Sequence, residues 1–283
     1  MSQRTDLALE KSEKAGKGPG IDLEEEIKNG VTVTRIRVTD RAGELTVGKP
    51  AGNYITVEAD NFGGETDGDC REIITEELSR LIPKEGTVLV AGLGNYDITP
   101  DALGPKTADR IFATRHIDGE TAKEIGLERL RPVCVLSPGV LGKTGIETAE
   151  IIRAVAEKIK PSAVVAVDAL AAMEPVRLGK TVQLSDTGIC PGSGVGNSRS
   201  ELSKKSLGIP VVAVGVPTVV DMATLAEGLA GEQGAARLDC GCEMMVTPRE
   251  IDAVIDRAAD LVALSLNCAL QPQLSPKELS ALV

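Results

Sequence analysis

Asp168 closes an otherwise wholly apolar run, Ala163-Val-Val-Ala-Val-Asp168-Ala-Leu-Ala-Ala172. A carboxylate in such a place is costly unless it is paired, hydrogen-bonded or protonated. Asp101 follows an earlier apolar run, in Gly92-Leu-Gly-Asn-Tyr-Asp-Ile-Thr-Pro-Asp101-Ala-Leu-Gly-Pro105. Either residue taken alone is also explained as an acid at a helix N-terminus. Together they suggest more, because two separate strand-end loops each offer one acid to the same edge of a sheet. Two carboxylates brought close cannot both ionise cheaply, so one holds a proton while the other acts as base. That combination activates a water and protonates a leaving amine in peptide hydrolysis. A divalent metal held between Asp101 and Asp168 would polarise the water instead, and the residues leave that choice open.

The other polar candidates are fewer. His116 is the single histidine, which rules out a zinc site of the two- or three-histidine type within one chain and makes it the base of any Ser-His-Asp triad. Its position after Thr114-Arg115 also suits a structural hydrogen bond at a helix end. Glu147 can reach the strand-end cleft as a third acid or metal ligand, or can serve as a first-turn helix acid. Asn95 sits in the strand-end loop before Asp101. The stretch Val182–Gly196 reads as a glycine-rich loop, and Gly192-Ser-Gly194-Val-Gly-Asn197 at its end offers backbone N–H groups to an oxyanion or a phosphate, although no Gly-Lys-Ser/Thr follows it. That loop supports an alternative function, a phosphate- or nucleoside-handling enzyme on a similar α/β sheet.

Positioning these groups requires a scaffold. Short apolar runs, Thr87–Leu93, Val133–Leu136, Ala163–Val167 and Val211–Val216, alternate with amphipathic stretches at Ile146–Lys160 and Pro248–Leu266. The pattern indicates an α/β fold, a mostly parallel sheet with helices on both faces of the phosphorylase/hydrolase-like kind. In such sheets ligands collect at the carboxyl ends of the strands. Upstream, the alternation in Val31–Val38 and Tyr54–Val57 reads as half-buried strands, and Cys70, Ile73, Ile74, Leu78, Leu81 and Ile82 fall at helical spacing until Pro83. The expected organisation is a flexible arm over residues 1–30, then one α/β catalytic domain over 31–283 whose subregion 31–65 is β-rich.

Composition removes other classes. Aromatic residues make up 1% of the chain, too few for base-stacking platforms, and a net charge of −11 without a basic stripe argues against direct nucleic-acid binding. No run of eighteen apolar residues suggests a membrane span, and the N-terminus has no apolar secretory core. Six cysteines without a repeated pair spacing read as reduced thiols in a cytoplasmic setting; Cys240-Gly241-Cys242 is tighter than the usual redox or zinc pair.

Several long blocks also carry a resemblance. Arg4-Thr-Asp-Leu-Ala-Leu-Glu10, Gly92-Leu-Gly-Asn with Thr99-Pro-Asp-Ala-Leu-Gly-Pro105, Pro138-Gly-Val-Leu-Gly-Lys-Thr-Gly-Ile-Glu-Thr148, Asp168-Ala-Leu-Ala-Ala172, Ser185–Asn197 and Pro217-Thr-Val-Val-Asp221 resemble the germination proteases of endospore-forming bacteria. The resemblance implies an endopeptidase of the forespore or spore core that degrades small acid-soluble spore proteins. It further implies a homotetrameric, self-processing zymogen whose catalytic acids fall on Asp101 and Asp168. Its fold would be similar to the hydrogenase-maturation endopeptidases, whose acids bind a metal with a histidine that has no evident counterpart here. No cofactor is required by the resemblance, and a divalent metal would fall to Asp101 and Asp168.

By the same resemblance the self-processing bond is Asp6-Leu7, in an acidic-then-apolar sequence like that of the family's substrates. Two departures stand out: only Met222–Met244 separate the Pro-Thr-Val-Val-Asp block from Met245-Val-Thr-Pro248, where the family carries a longer insertion, and the extension before Arg4 is short. A chain dormant under ordinary conditions is a further expectation. An acidic surface repels acidic substrates, so steering is unfavourable unless the cleft or the tetramer interior is locally basic.

Overall fold

The computed structural model describes residues 4–16, 18–60, 62, 67–124, 126–127, 129–192, 199–237 and 244–283. Among them nine strands form one sheet: β1 Ile21–Lys28, β2 Val31–Val38, β3 Gly52–Glu58, β4 Val88–Gly92, β5 Val133–Leu136, β6 Ala163–Ala172, β7 Thr181–Ser185, β8 Val211–Asp221 and β9 Met245–Val246. Their order is β1-β2-β3-β7-β8-β6-β4-β5, with β9 on β8. Strands β8, β6, β4 and β5 run parallel, whereas β1, β2, β3 and β7 form an antiparallel ladder joined to them through β7 and β8.

The parallel strands are apolar throughout because both faces are covered. Helices Asp67–Leu81 and Ile251–Leu270 press Ile74, Leu78, Ile255, Val262 and Leu266 against Val90, Val165 and Val214. On the opposite face, helix Thr148–Ile159 sets Ala149 and Ile152 against Leu89, Ala91, Val164 and Ala166. Burying one such branched side chain contributes about 1.5–3 kcal/mol relative to exposure. The α/β class with helices on both faces and antiparallel N-terminal strands is therefore as the sequence indicates.

Three details differ from the sequence reading. Strands β6 and β8 continue past their apolar cores, so Asp168 stands inside β6, opposite Gly215, and caps no helix. Part of the expected glycine-rich loop is strand β7. The segment expected to be a flexible arm is docked: Leu7 and Ala8 are fully buried, Ala8–Ala15 is a helix, and Ile21–Lys28 pairs with β2. The apolar trio Leu7-Ala8-Leu9 is too short to register as a periodic signal, and edge strand β1 is almost wholly exposed, which hides its alternation.

Candidate active site

Asp101 is fixed by the turn that follows β4. Leu93 donates to the Val167 carbonyl at 2.8 Å, tying the turn to β6, and the Asn95 amide donates to both the Asp101 carbonyl (3.1 Å) and its Oδ2 (2.8 Å). Gly94 makes this possible: at φ +111°, a Cβ there would lie 2.1 Å from the Asp101 carbonyl oxygen. From the other side, the Thr218 hydroxyl at β8 donates to the Pro100 carbonyl at 2.8 Å. Three neighbouring strands thus hold one short 3-10 turn, Thr99–Asp101.

Asp168 is buried at 5% exposure, and its Oδ1 accepts from the Ala169 amide at 3.0 Å. Burial raises its pKa well above the ordinary carboxylate value, and the negative charges of Asp101 and then Asp6 push it the same way. Burial also raises Asp101, but the Asn95 hydrogen bond pulls back toward the ionised form. The environments therefore differ in the sense that acid–base division of labour requires: Asp168 holds the proton more tightly, and Asp101 is the better base.

Both acids line a cleft of about 600 Å³ with Asn95, Glu147, Thr218 and Arg199. It opens at the carboxyl ends of the parallel strands, beside β4, where the chain crosses first to β5 on one side and then to β6 on the other. This is the topological switch point at which open α/β sheets bind ligands. Glu147 faces Arg199 at 4.0 Å and makes no side-chain cap on the helix it precedes. His116 lies apart: it is exposed and lines neither this cleft nor its neighbour, so the structure does not bring it to the acids. Gly194 lies outside the described residues, as do Cys240 and Cys242. Among the described residues no cluster of three or more His, Cys, Asp or Glu side chains is arranged to hold a metal ion. Among the described residues, a site there would rest on Asp101 and Asp168, one protein ligand short of the usual catalytic set for zinc.

A second cavity of about 320 Å³ adjoins the first and shares Asp6, Asp168, Leu170 and Gly192 with it. Lys11 and Lys49 line it, and burial together with Lys11 lowers Lys49 to about 8 against the opposing pull of Asp6. Asp6 of the N-terminal segment lines both spaces. The Asp6 amide donates to the Ala171 carbonyl (2.9 Å), and the Ala171 amide returns a bond to Asp6 Oδ2 (3.0 Å). Leu7 enters an apolar nest of Leu170, Ala172, Leu178 and Val220. Asp6-Leu7, singled out by sequence, is thus brought alongside β6 next to Asp168.

A model of the germination protease family matches residues 2–229 of this chain. The chain belongs to that family. It is 40% identical over 318 aligned positions to the germination protease of Caldanaerobacter subterraneus subsp. tengcongensis, covering 99% of this chain and 98% of that one. It is 40% identical to the Clostridium tetani germination protease, covering 99% of each, and 38% identical to that of Bacillus velezensis, covering 96% and 94%. These alignments are longer than the 283 residues here, so the related germination proteases carry segments that this chain lacks. Among solved structures, a [NiFe] hydrogenase maturation protease from Thermococcus kodakarensis aligns with a TM-score of 0.38 and 21% identity, over 67% of this chain and 98% of that chain. Membership of the germination protease family makes the chain a peptidase that acts in spore germination. No helix among the described residues is long and apolar enough to cross a membrane.

Proposed function

We propose that this germination protease is a self-processing endopeptidase in which Asp101 and Asp168 activate water. Its substrates are small acid-soluble spore proteins, and it acts in the forespore and spore core as a homotetramer. The observation that carries the reading is the docked Asp6-Leu7 bond, held against β6 by reciprocal Asp6–Ala171 hydrogen bonds beside the buried Asp168. An arm of that kind is both substrate and obstruction, which is how a chain stays dormant until it cuts itself.

The chemistry follows from the two environments. Asp101, ionised, takes a proton from water as the water oxygen bonds to the Asp6 carbonyl carbon. Asp168, protonated, gives its proton to the Leu7 nitrogen as the carbon–nitrogen bond breaks. One product ends at Asp6, the other begins at Leu7, and exchange of one proton resets the pair. A divalent metal, if bound, would sit on these same carboxylates and supply Lewis acidity.

The test is the intact mass of wild type and Asp101→Asn after incubation with a small acid-soluble spore protein, with and without chelator. Loss of residues 1–6 and substrate cleavage in wild type alone, unchanged by chelator, is the expected result. An Asp101→Asn chain that still trims itself refutes the assignment of that acid.

A further inference from the structure

Strand β7 supplies a residue that the acid pair does not account for. Asp168 of β6 pairs with Gly215 of β8, and Gly215 pairs with Gln183 of β7. Residues directly opposite one another on neighbouring strands share a face of the sheet. Asp168 and Gln183 therefore rise on the same side, separated by a residue without a side chain. With strands about 4.8 Å apart, they stand about 10 Å from each other across Gly215. A Cβ at position 215 would lie 2.5 Å from Leu170 Cγ, so the gap in the row is sterically enforced.

The N-terminal segment lies over that gap. Gln183 Nε2 donates to the Asp6 carbonyl oxygen at 3.2 Å, and the Ala8 amide donates to Gln183 Oε1 at 2.6 Å. One planar carboxamide thus brackets the Asp6-Leu7 bond, holding the carbonyl on one side and the N–H one residue beyond it on the other. The arrangement needs a donor and an acceptor on a single short group, which glutamine has and ionised glutamate lacks. Gln183 is itself buried at 8% exposure, so its donor is preorganised and shielded from water.

We propose that Gln183 is a catalytic residue whose Nε2–H stabilises the oxyanion formed when water adds to the scissile carbonyl, in the chain's own Asp6 and in peptide substrates of the same acidic-then-apolar type. The inference rests on the reading of Asp6-Leu7 as the cleaved bond. As the water oxygen bonds to carbon, the carbonyl π electrons move onto oxygen and the water proton goes to Asp101. Gln183 keeps its own protons and contributes a stronger hydrogen bond to the charged oxygen. Collapse re-forms the carbonyl and expels the Leu7 nitrogen, which carries the proton from Asp168. Oε1 meanwhile fixes the register of the extended chain.

The experiment compares wild type, Gln183→Met and Gln183→Glu. Self-trimming is followed by intact mass, and kcat and KM are measured on the peptide Arg-Thr-Asp-Leu-Ala-Leu-Glu. Both variants keep the length of the side chain and remove the amide donor, so either one that melts cooperatively like wild type carries the test. The expected result is a kcat about 10²–10³-fold lower in both, with KM changed far less. A wild-type kcat in either folded variant overturns the proposal, as does a loss confined to KM. Wild type that cleaves neither itself nor the peptide overturns the scissile-bond reading as well. Wild type that cleaves both while Gln183→Met matches it overturns the role of Gln183 alone.

Discussion

Arg177 holds the N-terminal helix in place, and replacing it with methionine releases the arm. The guanidinium makes a two-toothed pair with Glu13 at 2.9 and 2.8 Å, meets Glu58 at 3.0 Å, and approaches Glu10 at 3.5 Å and Glu174 at 3.7 Å. Burial lowers its pKa, but the surrounding glutamates more than offset that and hold it above the ordinary value. The carboxylates differ in worth: Glu13 and Glu174 are about half exposed, whereas Glu10 is fully buried. The exposed pairs contribute no more than about 1 kcal/mol each. Breaking a buried pair costs about 3–5 kcal/mol. Glu10 retains bonds from the Met173 amide (2.7 Å), the Glu174 amide (3.0 Å) and the Thr5 hydroxyl, which favours the lower end of that range. Docking is then weaker by about 3 kcal/mol, or on the order of a hundredfold in the opening equilibrium. Methionine keeps the packed stem, so the loss reflects charge and hydrogen bonding. Amide hydrogen exchange at Leu7, Ala8 and Lys11 is the assay, with protection expected to fall about a hundredfold while β4 and β6 stay unchanged. Wild-type protection at these amides in a folded Arg177→Met chain would refute the latch.

The raised pKa of Asp168 makes a signed prediction about stability. The folded state retains a proton that the unfolded state loses above about pH 4, so Asp168 destabilises increasingly as pH rises toward its folded pKa. Asp168→Asn should therefore gain stability relative to wild type as pH rises above about 4, while losing activity. The gain is about 1.4 kcal/mol per pH unit over the range in which only the folded carboxyl keeps its proton, and equal denaturation midpoints for the two chains at both ends of that range would count against it. Gly94→Ala forces a Cβ to within 2.1 Å of the Asp101 carbonyl at positive φ, a strain of about 1–3 kcal/mol, and should abolish trimming while leaving a cooperative melt. Lys49→Glu reverses a charge in the cavity beside Asp6, and the ratio of kcat/KM for peptides with Asp or Asn before the scissile bond should fall at least tenfold. An unchanged ratio removes Lys49 from recognition.

How legible these features were depended on whether their signal is local. Strands β4, β5, β6 and β8 stood out because residues covered on both faces leave unbroken apolar runs. Asp168 stood out because a carboxylate is expensive in such a run. Gln183 did not, although the alternation was present: Val182 and Leu184 face the large core while Thr181, Gln183 and Ser185 face the other way. Neighbouring glycines drew that stretch toward a loop assignment, and only its pairing with Gly215 reveals what Gln183 faces. Arg177 had little local signal, since only Glu174 is near in sequence and its other partners come from positions 10, 13 and 58. His116 drew attention as the single histidine, yet rarity of a residue type says nothing about where the fold sends it.

The placement of the arm follows from the construction of the sheet. The parallel strands bring two acids to their carboxyl ends but leave β8 needing a neighbour on its far side. Strand β7 meets that need in the antiparallel sense, and Gln183↔Gly215 and Asp168↔Gly215 then fall in one row. A side chain at 215 would fill the space between the carboxyl and the carboxamide and collide with Leu170. With glycine there, an extended peptide can lie across the row with one end bonded to Ala171 and the other to Gln183. The groups proposed for acid–base work thus come from the parallel half, and the group proposed for oxyanion stabilisation comes from the antiparallel half. Neither half alone contains the complete set, and the pairing of β7 with β8 is what brings the two contributions to one row.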